Sequence, residues 1–308
     1  MQTYHLGRVI WWMIGALLSF SAMAVSVRAL GGSLSVFEIL AIRSGLGVLI
    51  MVVLGISWGT LRTGLVPHRF PLHLLRNGVH FGAQFCWAWA IILLLPLATI
   101  FALEFTAPAW TALLAAMLLG ERLTPSRIVA IVLGFVGVLV ILRPGLASFR
   151  PAALLVLLAA FGFASSNIAT KKLTATETTF AIILWMNILQ FPMAMIASDV
   201  LFPTRIAIAQ LPAVVGIGIS GLAAHYCLAN AFRSGDATVV VTIDFLRIPL
   251  IAVVGWWLYG EPLDVLVFVG AGIIIVGVLW NLRAESRRTM VPAVAPSVSP
   301  DADALPRP

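Results

Sequence analysis

Ten apolar runs, each close to the length of a membrane-spanning helix, account for about two thirds of this chain. They fall at about 9–29, 36–56, 72–94, 97–119, 125–142, 152–170, 179–199, 212–232, 237–259 and 263–282. A hydrocarbon core of about 30 Å takes roughly 20 helical residues to cross, so each run can span. Breakers separate them, among them "LGGSL" at 30–34, "RTGLVPHRFP" at 62–71, "RPG" at 143–145, "FPT" at 202–204 and "RSGD" at 233–236. The connections are short, and consecutive helices are expected to be neighbours. Only 10% of the residues are charged and 61% are hydrophobic, against about 25% charged in soluble domains. The lipid bilayer is therefore the principal solvent, and the chain reads as an all-α polytopic membrane protein.

The formal charge of +7 does not point to nucleic acid. Lys and Arg stand in short loops between apolar runs, where they set orientation. With the N-terminus inside, the cytoplasmic face collects Arg8, Arg62, Arg69, Arg122, Arg127, Lys171, Lys172, Arg233, Arg283, Arg287 and Arg288. The other face collects Arg28, Arg143, Arg150 and Arg205. This asymmetry predicts both termini cytoplasmic, which an even number of spans permits. The first run imitates a signal peptide, with Arg8 ahead of it and Ala22-Met23-Ala24 within it, but its length suits an uncleaved first helix. Residues 284–308 turn Pro- and Ser-rich and are expected to be a disordered cytoplasmic tail. Cys86 and Cys227 both lie inside apolar runs and read as small buried hydrophobes.

The chain also contains itself twice. "LLGERL" at 118–123 returns as "LYGEPL" at 258–263, an offset of 140 that also carries Glu104-Phe105 onto Asp244-Phe245 and Gly137-Val138-Leu139 onto Gly277-Val278-Leu279. With small loop shifts, "QFCWAWA" from Gln84 matches "HYCLANA" from His225. The halves are expected over 9–143 and 152–283. Five helices is an odd number, so the second copy enters the membrane upside down, as in many secondary transporters.

With "LGERL" closing the fourth run, "YGEPL" closing the ninth and "DFLRIP" at 244–249, the chain resembles the EamA family of the drug/metabolite transporter superfamily over about residues 9–283. The resemblance implies ten transmembrane helices, arranged as two inverted five-helix repeats around a central cavity lined mainly by helices 1, 3, 4, 6, 8 and 9. It implies an inner-membrane carrier of a small-molecule substrate such as an amino acid, vitamin or nucleotide-like compound.

Polar residues inside the runs are the candidates for function, since a charge at membrane depth costs roughly 2.5–3.5 kcal/mol on insertion scales. Counting 1.5 Å per residue puts Glu104 about 10 Å below the outer surface and Asp244 about 10 Å above the inner one. Arg43 reaches nearly the depth of Glu104, and Arg247 follows Asp244 at i+3 on the same face. The expected pairs are Arg43 with Glu104 and Arg247 with Asp244, acting either as gates at opposite ends or as structural locks. A carboxylate left unpaired there could also carry a proton, which makes protons a candidate coupling ion. His80, Gln84, Trp87, Asn167, His225, Tyr226 and Asn230 complete the candidate binding set, with Gln84 and His225 as repeat equivalents near midplane. Ser165, Ser166, Asn187 and Gln190 are expected partly in interhelical hydrogen bonds, and His73 and Arg76 to snorkel to the inner surface. Pro108 and Pro249 break corresponding helices just after the acids and are the candidate hinges. Gly120-Glu121 and Gly260-Glu261 read as helix-end structure.

Other functional classes fit less well. There is no His-Glu-x-x-His, no Gly-x-Ser-x-Gly and no cysteine cluster, so neither a metal or cofactor nor an intramembrane enzyme is expected. The repeats favour a carrier over a channel.

Overall fold

A computed structural model describes residues 6–119, 124–143, 150–173, 175–234, 240 and 243–289. The described residues form helices α1 (Leu6–Leu30), α2 (Val36–Ser57), a short α3 (Leu61–Gly64), α4 (Phe70–Ile92), α5 (Leu97–Glu104), α6 (Ala107–Leu119), α7 (Pro125–Leu142), α8 (Ala152–Leu173), α9 (Thr179–Met195), α10 (Leu211–Ser234), α11 (Arg247–Tyr259) and α12 (Val265–Thr289). Seven stretches, the joined α5 and α6 among them, are long and apolar enough to cross a membrane, while α9 and α11 are apolar but shorter. α4 has the length without the hydropathy, because His73, Arg76, Asn77, His80 and Gln84 interrupt it. The Gly120-Glu121 pair lies outside the described residues. α12 continues to Thr289, so the helix overruns the start of the expected tail.

Local chemistry places the helix ends. Ser35 and Glu38 form a reciprocal capping box that starts α2, which satisfies two otherwise orphaned N–H groups. Thr124 caps α7 ahead of Pro125, and Arg143 closes it in a left-handed conformation. Gly260 ends α11 at φ +64°, a value that suits glycine.

Two helices are broken at equivalent places. α5 stops at Glu104, Phe105 and Thr106 make a turn, and α6 begins at Ala107; at the same offset Phe245 and Leu246 make a turn before α11. Each turn is closed by a bond to the third carbonyl back, Thr106 N–H to Leu103 (3.1 Å) and Leu246 N–H to Ile243 (3.0 Å). Pro108 and Pro249 therefore do not make the breaks. They occupy the first turn of the following helix, where an N–H has no helical acceptor to lose.

The dominant helix pairings cross between the two halves of the sequence: α1 lies along α10, α7 along α12, α4 along α8 and α2 along α9. α7 and α12 are antiparallel and very close. A Cβ on Gly137 would meet the Gly270 carbonyl at 2.6 Å, and one on Gly277 the Ala130 carbonyl at 3.2 Å. By the offset of 140, Gly277 corresponds to Gly137 and Gly270 to Ala130. Each contact is thus the other with the halves exchanged. The outer faces carry many exposed apolar side chains, among them Trp11, Leu49, Ile56, Val132, Trp257 and Trp280.

Candidate functional site

Between α1, α2, α4, α5, α6, α8, α10 and α11 lies a cavity of about 250 Å³. α4 turns His80, Gln84, Trp87 and Ala88 into it, a stripe with the i, i+4, i+7 period of one helix face. α10 contributes Ile217, His225 and Leu228, and α1 contributes Phe20, Met23 and Val27. Leu40 and Arg43 enter from α2, Phe163 and Asn167 from α8, and Glu104 and Arg247 from the two helix breaks.

The breaks bring the acids to one cation. Arg247 is paired with Asp244 through both carboxylate oxygens, with Nε to Oδ1 at 3.2 Å. On its other side it reaches Glu104 at 3.6 Å. Glu104 also accepts a hydrogen bond from Trp87 Nε1 at 2.9 Å. The guanidinium lies over the rings of Phe20, Phe105 and Phe101 at 4.1, 5.2 and 5.5 Å, where ring quadrupoles favour a cation. Phe105 and Phe245, equivalent by the repeat, are in contact at 4.8 Å between centroids. The acids expected in opposite halves of the membrane, each with its own cation, instead share one: Asp244, Arg247 and Glu104 form a single cluster in this structure. The two breaks face each other across the cavity, and the long arginine side chain bridges between them.

The expected Arg43–Glu104 pair is likewise absent from this structure. Arg43 donates to Gln84 Oε1 at 3.0 Å, is 4% exposed, and has no carboxylate partner among the described residues. Its Nε has no hydrogen-bond acceptor. α10 crosses it at Gly221, where an added Cβ would meet Nε at 3.1 Å and Cγ at 3.7 Å. The glycine makes room for the arginine stem.

Three of the expected site residues stand apart from the cavity. Tyr226 is exposed and contacts Trp12 edge-on. Asn230 donates back to the Tyr226 carbonyl, and both line a separate lateral groove between α2, α9 and α10. Asp244 holds Arg247 without lining the cavity. Trp87 is buried, whereas Trp89 faces outward. Gln190 bonds His80 Nδ1 at 2.9 Å from α9; Ser165 and Asn187 instead bond carbonyls within their own helices.

His73 and Arg76 do not snorkel. Both are buried, Arg76 bonding Thr170 Oγ1 at 3.1 Å and Asn77 Oδ1 at 2.6 Å. His73 Nε2 lies 3.4 Å from Glu177, which sits in the connection between α8 and α9. Burial by itself would raise the Glu177 carboxyl. The His68 and Arg69 N–H groups, at 2.6 and 3.3 Å, together with the rings of His68 and His73, hold it below its ordinary value instead.

At the end of the cavity bearing the α4–α5 and α11–α12 connections, Arg28 pairs with Glu261 and donates to the Leu95 carbonyl. Glu261 also accepts from Leu97 N–H at 2.8 Å. The helix-end reading of Gly260-Glu261 is thus met by a buried clasp between α1 and two connections. The aromatic residues Phe20, Phe101, Phe105 and Phe245 escaped the sequence reading. Only the repeat offset, which aligns Phe105 with Phe245, marked any of them.

Comparison with known proteins now decides the family. The profile of the EamA-like transporter family matches residues 7–143 and again 150–283. The chain belongs to the EamA-like transporter family. It is a multi-pass membrane protein of a transporter family, not an enzyme. Its relatives include an S-adenosylmethionine uptake transporter of Rickettsia bellii, 28% identical over 93% of this chain and 97% of that protein. A riboflavin transporter of Rhizobium johnstonii is 33% identical over 67% of this chain and 68% of its own length. The pseudopaline exporter CntI of Pseudomonas aeruginosa is 26% identical over 88% and 94%. A solved crystal structure matches with a TM-score of 0.61 at 20% identity, covering 92% of this chain and 99% of that one, which supports the fold.

Proposed function

We propose that this protein is an inner-membrane secondary transporter that carries a small organic metabolite by alternating access. Ten spans form two inverted five-helix repeats over 9–143 and 152–283, with both termini cytoplasmic. The observation that carries this reading is the junction of the two broken helices at the central cavity, where Asp244, Arg247 and Glu104 share one ion cluster. Broken helices at corresponding positions, facing a midplane cavity, are the arrangement carriers use for substrate sites. The reciprocal contacts of α7 with α12 support the inversion. Arg43, His80, Gln84, Trp87, Glu104, Asn167, His225 and Arg247 form the binding wall. Asp244 positions Arg247, and the turns at 105–106 and 245–246 are the hinges, with Pro108 and Pro249 fixing the helices beyond them.

The Arg28–Glu261 clasp closes the periplasmic end in this state. The names of the relatives put S-adenosylmethionine, riboflavin and pseudopaline among the solutes to try first. Protons are the candidate coupling ion, with Glu104 as their carrier, because its contact to Arg247 is the looser one in the cluster.

The test is transport by the purified chain in liposomes, combined with thiol labelling of single cysteines in a background lacking Cys86 and Cys227. A carrier moves a solute down an imposed gradient, and Glu261→Gln raises labelling at the periplasmic ends of α1 and α5. Absence of counter-transport for every solute in a broad metabolite screen, with labelling that no solute alters, would remove the carrier reading.

A further inference from the structure

We propose that Arg43 is the anion-binding group of the central cavity, and that the transported solute carries a carboxylate or phosphate which pairs with it. This rests on the reading of the cavity as the substrate site.

The two other buried guanidiniums that reach the cavity or its end, Arg247 and Arg28, each meet a carboxylate, whereas Arg76, outside the lining, is held by Thr170 and Asn77. Arg28 has Glu261 and Arg247 has Asp244, with Glu104 beyond it. Arg43, as deeply buried, has one neutral amide, Gln84, and no carboxylate among the described residues. An uncompensated charge at membrane depth is costly and marks a site whose partner arrives from outside. The one carboxylate among the described lining residues cannot serve: Glu104 is engaged by Trp87 and Arg247. Arg76 lies deeper along α4 and adds positive charge without a described carboxylate, so the Arg43 side of the cavity is electropositive. The guanidinium fork matches a carboxylate or a phosphate equally, through two parallel N–H donors.

Gln84 and Trp87 sit three residues apart on α4, a spacing of about 5–6 Å between Cβ atoms. One holds Arg43 and the other holds Glu104. A single helical turn therefore presents a cation and an acid side by side. A solute with an anion and a neighbouring cationic or hydrogen-donating group fits that turn, with its body against Phe20, Met23 and Phe163. A neutral flat molecule leaves Arg43 unanswered.

The experiment measures binding by full-length protein in lipid nanodiscs to matched probes that differ in one anionic group. The pairs are S-adenosylmethionine with its decarboxylated form, tryptophan with tryptamine, and riboflavin 5′-phosphate with riboflavin. At least one anionic member is expected to bind tenfold or more tightly than its partner, the scale of a charge-assisted hydrogen bond. Arg43→Gln abolishes that preference and Arg43→Lys keeps part of it. The first two pairs report a carboxylate and the third a phosphate. Should Arg43→Gln not fold, Gly221→Ala keeps the charge but crowds Nε, and is expected to weaken the anionic members alone. The proposal is overturned if no anionic member binds, if partners bind equally, or if the preference survives Arg43→Gln. A neutral probe that binds as tightly as its anionic partner and is counter-transported would sink the anion site and keep the carrier. An anion that binds through Arg43 yet never crosses a liposome membrane would do the reverse.

Discussion

Arg247 and Arg43 line the same cavity, are equally buried at 4% exposure, and have opposite surroundings. Arg247 is held by Asp244, approached by Glu104 and sandwiched among three phenylalanine rings. Arg43 has one glutamine oxygen. A satisfied cation belongs to the architecture, because its removal strands the acids arranged around it. An unsatisfied one is a cost the fold bears, and its removal strands almost nothing. Stability and transport should therefore respond to the two arginines in opposite proportion.

The largest effect tests the satisfied side. Arg247→Gln leaves two carboxylates facing each other without a cation, and is expected to destabilise by about 3–5 kcal/mol. Unfolding in mixed micelles would measure this, and a variant as stable as wild type would dissolve the distinction. Within the cluster, Asp244→Asn removes the tight contact and should cost about 1.5–3 kcal/mol. Glu104→Gln removes a contact at 3.6 Å from a side chain 23% exposed and should cost about 1 kcal/mol or less. An equal cost for the two would mean that Arg247 moves freely between them.

On the unsatisfied side, Arg43→Gln should change stability by less than about 1 kcal/mol, since the lost bond to Gln84 is offset by the relief of a buried charge. Transport is expected to fall by an order of magnitude or more. Stability lost without transport lost would reverse the assignment.

Glu177 supplies the smallest effect, as a buried acid answered mainly by backbone N–H groups rather than by a guanidinium. Its folded pKa is lowered, so its stabilisation is complete above the ordinary glutamate value of about 4.3. It is lost as pH falls through the lower folded value. The stability gap between wild type and Glu177→Gln should hold from pH 8 to pH 5 and close below about pH 4. A gap that widens on acidification would contradict the sign.

How much of this was legible follows from what a sequence encodes. Helix ends with strong local chemistry were readable: α7 runs over 125–142 as expected, between a Thr-Pro start and a left-handed stop at Arg143. The repeat offset brought Glu104 together with Asp244, and the breaks fall where it puts them. The expected pairing of Arg43 with Glu104, absent from this structure, came from counting depth. Rise per residue gives height along the membrane normal but not azimuth around the bundle, so two charges at one level can face different neighbours. Azimuth within a helix also explains Tyr226 and Asn230. Successive residues turn by about 100°, so His225 and Leu228 point into the cavity while Tyr226 and Asn230, four apart, share the outer face. His73 and Arg76 looked like interface residues because their partners, Glu177 and Thr170, are distant in sequence.

The low hydropathy of α4 has a consequence for how the chain is made. Its polar residues are partnered by later segments: Thr170 follows Arg76 by 94 residues and Gln190 follows His80 by 110. At synthesis rates of about 5–20 residues per second, α4 waits roughly 5–20 s for those partners. During that interval the helix that carries the largest single share of the cavity wall is the one least able to remain in lipid unaided. Its retention depends on holding near the insertion machinery, or on α1 and α2, until the second half emerges. A cell that produces this protein therefore accepts, at each round of translation, a short-lived intermediate open to quality-control proteolysis.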